Sequence, residues 1–348
     1  MLSETNTLSF PIINSQTTLF FLIAITLLII VTITALTLGR YYIQPSHVIG
    51  ILFENLALHN TAGVNDIERR VVELIRLPRV LLSLVAGAGL GMAGAALQSL
   101  FRNPLVGPDI LGISPGAAFG GALAIMLFGT SVATVTGAFI FGLLAIVVVI
   151  VVAKSGVGTT TLTLVLSGVV VGAFFSALVS LVIFMADVES ELPSILYWLL
   201  GSFASANFNK LLLMSVTVVV GGLVLFGLRY TLNVLTLGDQ EAASLGINVV
   251  RIRWLTLAAV TIIVAASVAV AGVIGWIGLI VPHIARMFVG PDHKYLLTAA
   301  ALIGAIALIL VDTICRSLTA AEIPLSIVTA IAGAPVFILV LRRTIGMR

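Results

Sequence analysis

The chain of 348 residues predicts an all-α polytopic membrane protein of about ten transmembrane helices. Charged residues make up 9% of it, well below the roughly 25% of soluble domains. Hydrophobic residues reach 60%, and the mean hydropathy is +1.24. Apolar runs recur along the whole chain, each near the about 20 residues needed to cross a hydrocarbon core roughly 30 Å thick. One transmembrane domain over 1–348 accounts for the length, with no room for a large soluble domain. The net charge of +3 says little, because in a membrane protein the side on which basic residues lie matters more than their sum. Cys315 stands alone, so no internal disulfide can form.

Residues 1–17 are polar and carry no Lys or Arg. The run 19–38 is longer than a signal h-region and lacks a basic n-region and an A-x-A site, so it reads as a retained first span. A polar connection over 40–76 follows, with a surface helix expected at 45–58. The second span, 80–100, carries Gly87, Gly89, Gly91 and Gly94, and the Gly87/Gly91 spacing lets a neighbouring helix approach closely. Prolines and glycines then interrupt the apolar pattern at 103–116. A break inside a membrane protein is tolerated where it is buried in protein or lines a cavity.

Spans three and four are 110–128 and 132–153, closed by Lys154. A Gly/Thr-rich turn leads into span five, 162–186, where Gly168 and Gly172 repeat the four-residue spacing. After the acidic loop 187–191, residues 193–208 are amphipathic and too short to cross, which predicts a half-helix near the surface. Span six is 211–228. Spans seven to ten are 255–271, 273–289, 295–314 and 323–341, and no short tandem repeat is visible.

Between spans six and seven lies a polar island, 229–253. Asp239, Gln240, Glu241, Ala242 and Ala243 favour helix, Gly238 and Gly246 punctuate, and Leu235, Leu237, Leu245 and Ile247 supply apolar contacts. That composition suits a short helix docking a soluble partner; an ordinary connecting loop is the plain alternative.

With a cytoplasmic N-terminus, ten crossings return the C-terminus and the island to the cytoplasm. Arg40, Arg69, Arg70, Arg76, Arg79, Lys210 and Arg316 then lie outside and the other ten Lys and Arg inside, a mild positive-inside bias. Arg69 and Arg70 can pair with Asp66, Glu68 and Glu73. Arg76, Arg79 and Arg316, at the mouths of spans, suit an acidic partner docking from outside. Ionisable groups within spans are few: Asp312 has Arg316 at i+4, a local pair, and His283 with Arg286 reads as structural. This argues against a proton-driven carrier. There is no H-E-x-x-H, no paired-carboxylate motif in the spans and no Cys/His cluster, so no intramembrane enzyme is expected, and no P-loop, so energy must arrive from elsewhere.

RLPR at 76–79, RNPLVGPDILGISPGAAFG at 102–120, LGDQEAASLGI at 237–247, GWIGLIVPHIARMFVG at 275–290 and DTICRSLTAAEIPLSIVTAIAGAPVF at 312–337 together resemble the permease subunits of type II, FecCD-type ABC importers of ferric siderophores, haem and vitamin B12. The resemblance covers about 20–343. It implies a type II importer permease fold in a bacterial cytoplasmic membrane and a second permease, either another copy or a paralogue. It also implies two cytoplasmic ATPase subunits that hold ATP and magnesium, and an extracytoplasmic substrate-binding protein. Lipid surrounds such a chain, which itself needs no cofactor or resident metal and binds no nucleic acid.

Residue by residue, the resemblance makes the island the coupling segment, with Gly238, Glu241, Ala242, Leu245 and Gly246 seating in the ATPase. Arg76, Arg79 and Arg316 match arginines that receive the binding protein. Asn103 and Leu105 match an inner gate, and Thr159, Thr160 and Thr161 a second one. The stretch 176–208 resembles a subgroup for ferric chelates and for molybdate or tungstate. The spans offer no Met/His/Cys set for a bare metal ion, so a ferric siderophore is the first cargo, then haem or vitamin B12, then molybdate. Phe174, Phe175, Phe184 and Met185 read as packing residues. The rival from another class is a Na⁺-coupled secondary transporter using oxygens at the broken helices; a neighbouring P-loop ATPase gene and a binding-protein gene separate the two. A scaffold without transport does not explain the broken spans.

Overall fold

The computed structural model describes residues 15–54, 64–154 and 160–346, and among these every regular element is helical. Apolar side chains surround most helices, as expected where lipid lies on one side and other helices on the other. In chain order the helices are α1 (Ser15–Thr37), α2 (Pro45–Glu54), α3 (Asp66–Arg70), α4 (Leu77–Leu100), α5 (Ile113–Phe128), α6 (Val132–Lys154), α7 (Thr161–Met185) and α8 (Leu192–Leu199). They continue as α9 (Phe208–Gly227), α10 (Arg229–Leu235), α11 (Asp239–Ser244), α12 (Val249–Ala271), α13 (Ile277–Val289), α14 (His293–Ser317) and α15 (Leu325–Gly346). A π-helical turn, Val71–Arg76, joins α3 to α4 without a break.

All ten expected spans have a helix. Among the described residues 7 helices are long and apolar enough to cross a membrane: α1, the run through α3 and α4, α6, α7, α9, α12 and α14. The other three, α5, α13 and α15, have shorter apolar lengths. Several boundaries move. Span three begins at Ile113, because residues 108–111 form a 3₁₀ turn closed by Gly112 at φ 72°. Span eight begins at Ile277, since Gly272–Trp276 is irregular. Span seven begins at Val249, so Arg251 and Arg253 belong to α12 and not to the island's loop.

α4 and α12 are the interior helices, most of their residues buried, whereas most of α1 is exposed. Glycine makes this possible. A Cβ on Gly87 would lie 2.2 Å from the Gly304 carbonyl oxygen, and one on Gly91 2.2 Å from that of Ala300, both on α14. One on Gly94 would lie 1.8 Å from the Gly278 carbonyl oxygen of α13. Backbone cannot retreat as a flexible side chain can. Gly94→Val should therefore cost at least about 3 kcal/mol by overpacking, read as a lower unfolding midpoint in detergent; an unchanged midpoint would contradict this packing.

The half-helix expected at 193–208 is α8, docked by its Trp198 ring on Gly121 of α5. Beyond it the Ser202 N–H donates to the Ala271 carbonyl at 2.8 Å and the Leu325 N–H to that of Gly201 at 2.9 Å, tying the ends of α8, α12 and α15 together. Phe175 is buried beside Phe119, centroids 5.9 Å apart, whereas Phe174, Phe184 and Met185 are exposed on α7. The surface helix after Pro45 is α2, and the expected charge pairing near it changes. Arg69 bonds Glu54 of α2, and Glu68 lies 2.9 Å from His47 Nδ1, because α2 packs close to α3 and offers partners that linear spacing does not show.

Candidate functional site

The island folds as two short helices, α10 and α11, ahead of α12. Gly238 turns the chain between them at φ 142°, a conformation that favours glycine, and its open face receives the Glu241 carboxylate. Leu232 and Leu235 face inward, while Leu237 and Leu245 are 65% and 64% exposed. Of the five residues expected to seat in a partner, Glu241, Leu245 and Gly246 are exposed. Gly238 and Ala242 are buried instead: Ala242 sits on the inward side of α11 because a helix must cover its apolar face.

Two hydrogen-bonded links run from this segment into the bundle. Asn233 of α10 donates through Nδ2 to Asp292 at 2.7 Å, and its Oδ1 accepts from the His293 backbone N–H at 2.9 Å and from His293 Nδ1 at 2.6 Å. His293 Nε2 in turn meets the Ser99 hydroxyl, near the end of α4 and four residues before Asn103. Burial pushes the Asp292 carboxyl up, but the Lys294 N–H and the Asn233 amide outweigh it and hold the group below the usual carboxylate range.

The second link is ionic. Asp239, the first residue of α11, accepts from Arg253 Nη2 at 2.8 Å and from Arg102 Nη2 at 3.4 Å. Arg253 Nη2 also reaches Thr161 Oγ1 at 3.4 Å. One carboxylate of the island therefore touches the break after α4 and, through Arg253, the start of α7. Thr160 caps α7, its hydroxyl accepting from the Thr163 N–H at 3.2 Å, and Thr159 lies outside the described residues. Asp239, Arg102, Arg253, Asn233 and His293 were not singled out as site residues from the sequence. The signal was an acidic residue at a helix start with arginines on both sides.

The break itself is an Asx turn: Asn103 Oδ1 accepts from the Leu105 N–H at 2.9 Å. Arg102 before it has φ 49°, and Trp276 before α13 has φ 70°; among the described residues these are the non-glycine positions with positive φ. The two breaks share a cavity of about 210 Å³ lined by Leu105, Asp109, Ser114, Ser267, Trp276 and Leu279. Asp109 is hydrogen-bonded to Ser114, and the Ser267 hydroxyl, 1% exposed, has no partner. Strained backbone beside a small cavity suits a closure that can change state. Asp109 lies one residue outside the expected third span, so a search within spans passed over it.

The three outer arginines turn inward, at 4%, 6% and 7% exposure for Arg76, Arg79 and Arg316. Arg76 donates to the carbonyls of Leu36 at 2.6 Å, Thr37 at 2.9 Å and Tyr41, and Arg316 to those of Leu38 at 2.9 Å and Ala35. Both thereby cap the end of α1, whose last carbonyls have no partner within the helix. Arg79 is held by Asp312, at 2.8–3.1 Å, and by Glu322, at 2.9 Å from two nitrogens. Asp312 thus takes Arg79 of α4 as its main partner, with Arg316 at 3.7 Å, and the expected local pair is secondary. Docking through these side chains would first have to break these bonds; in this structure they tie helix ends together.

The profile of the FecCD transport family matches residues 27–343. The chain is 41% identical over 317 residues to the molybdate import system permease protein MolB of Haemophilus influenzae, covering 91% of this chain and 93% of the relative. It is 40% identical over 294 residues to a probable iron chelatin transport system permease protein of Helicobacter pylori, covering 84% and 88%. A solved structure described as a metal-chelate type ABC transporter in an inward-facing conformation superposes with a TM-score of 0.83 at 39% identity, over 94% of this chain and 99% of that one.

Proposed function

The chain belongs to the FecCD transport family, and from that premise we propose that it is the multi-pass permease subunit of an ATP-driven, binding-protein-dependent importer that carries a metal chelate, a ferric siderophore first. The observation that carries the reading is Asp239, which joins an exposed docking helix to the break after α4 and, through Arg253, to the start of α7. A second reading of the cargo, molybdate, is favoured by the 41% identity to MolB.

In this mechanism two permeases stand together, each with its island on a cytoplasmic ATPase and its opposite end towards a loaded binding protein. The ATPases bind and hydrolyse ATP with magnesium, and this chain supplies no catalytic group. When they close, Glu241, Leu245 and Gly246 move with them. α11 carries Asp239, so Arg102 and Arg253 follow, and the Asn103–Leu105 turn and the start of α7 shift together. α10 moves α4 through Asn233, His293 and Ser99. Free energy comes from ATP, so the path need not bind its cargo tightly, and tight binding would slow release.

The deciding experiment purifies the chain with its neighbouring P-loop protein and measures ATP hydrolysis with the binding protein loaded with ferric siderophore, haem or molybdate. Stimulation by ferric siderophore supports the first reading and stimulation by molybdate the second; a chain that carries no ATPase would overturn both. Leu245→Arg should cut transport by about tenfold while leaving ATP hydrolysis running, because it puts charge into an apolar contact. Uptake in proteoliposomes at the unmodified rate would remove Leu245 from the coupling surface.

A further inference from the structure

We propose that the cavity at the end of the bundle opposite the 229–253 segment binds an oxyanion, carried on a phospholipid headgroup or free in solution. The cavity measures about 880 Å³ and lies between the turn before α6, α8 and the first turn of α9. Its wall carries the hydroxyls of Thr130, Ser194, Ser202 and Ser205, the amide of Asn209 and one cation, Lys210, and no Asp or Glu. Lys210 Nζ donates to Ser205 Oγ at 2.6 Å and, among the described residues, takes part in no ion pair.

That setting differs from those of Arg79, Arg102 and Arg253. Arg79 has two carboxylates, and Arg102 and Arg253 share Asp239. A partly buried ammonium with a single neutral acceptor has lost hydration without gaining a counter-charge. An arriving anion would supply it, and the surrounding hydroxyls would donate to its remaining oxygens. Asn207 caps α9 at the same wall, so the positive end of that helix adds to the field.

Depth points the same way. α9 has 20 residues and is about 30 Å long, the thickness of a hydrocarbon core. Lys210 is in its first turn, which a helix of that length would place at the edge of the hydrocarbon core within reach of lipid headgroups, and Tyr197 and Trp198 line the same cavity, as aromatic residues do at that boundary. The volume suits a headgroup-sized molecule as well as a small ion.

The test uses the full chain in detergent, stripped of lipid, with two probes: phosphatidylglycerol, followed by native mass spectrometry, and radiolabelled inorganic phosphate, followed by equilibrium dialysis. At least one probe should bind near one per chain, with retention about tenfold weaker in Lys210→Met, as loss of a charge-assisted bond predicts, and recovered in Lys210→Arg. Binding of the lipid alone names the headgroup as the source, and binding of phosphate alone names the free anion. Failure of both probes, or equal retention by wild type and Lys210→Met of matched thermal stability, overturns the proposal. The assay needs no ATPase, so its outcome is separate from that of the importer reading.

Discussion

Arg79→Met should lower the unfolding free energy by about 3–5 kcal/mol, the cost of leaving a buried charge without its partner. Asp312 is 1% exposed and receives three of the five hydrogen bonds that Arg79 makes; the other two go to Glu322. Removing the guanidinium leaves one buried carboxylate with only Arg316 at 3.7 Å and a second one beside it. Asp312→Asn alone should destabilise by a similar route from the other side. Because the residues form one unit, the double variant Arg79→Met, Asp312→Asn should lose less than the sum of the two. Thermal unfolding of the purified chain in detergent reads all three. Full additivity, or a wild-type midpoint for Arg79→Met, would show that the cluster does not hold α4 to α14.

Asp239→Asn should uncouple the importer. The substitution keeps the shape of the first turn of α11 and removes the charge shared by Arg253 and Arg102. Hydrogen bonds to charged groups are worth about 1.5–3 kcal/mol, so a tenfold or greater loss of transport is expected while ATP hydrolysis by the partner continues. Proteoliposome uptake and hydrolysis measured on one preparation give the ratio directly. If the ratio of cargo moved to ATP consumed stays at the wild-type value, Asp239 does not transmit the closure. Asp239 itself is partly exposed but Arg253 is buried, so the variant should also unfold at a somewhat lower temperature than the wild type.

Hydropathy, glycine and proline made the membrane architecture legible. A span must be apolar wherever it packs, so all ten segments were visible without their partners, although three proved shorter in apolar length than a full crossing. The break at 103–116 was visible because proline and glycine act on the backbone locally, and the island because a polar insert in an apolar chain must meet water or protein. The motif blocks pointed to the family for the same reason: each is a continuous stretch that can be read in one line.

Partners distant in sequence are another matter. Arg79 and Asp312 are 233 positions apart and Arg102 and Asp239 are 137 apart, so no spacing rule joins them. Counting crossings grouped Arg76, Arg79 and Arg316 at one end of the bundle, yet it could not tell an arginine aimed at a partner from one wrapped around the end of α1. That depends on where the unpaired carbonyls of Leu36 and Thr37 come to rest. The sequence by itself determined the spans, the break at 103–116 and the polar segment between spans six and seven, because those answer to the solvent and to local backbone preference. Only the tertiary structure decided which buried charges face each other, which glycines meet backbone, and which hydroxyls gather around Lys210, because these are set by how the helices cross.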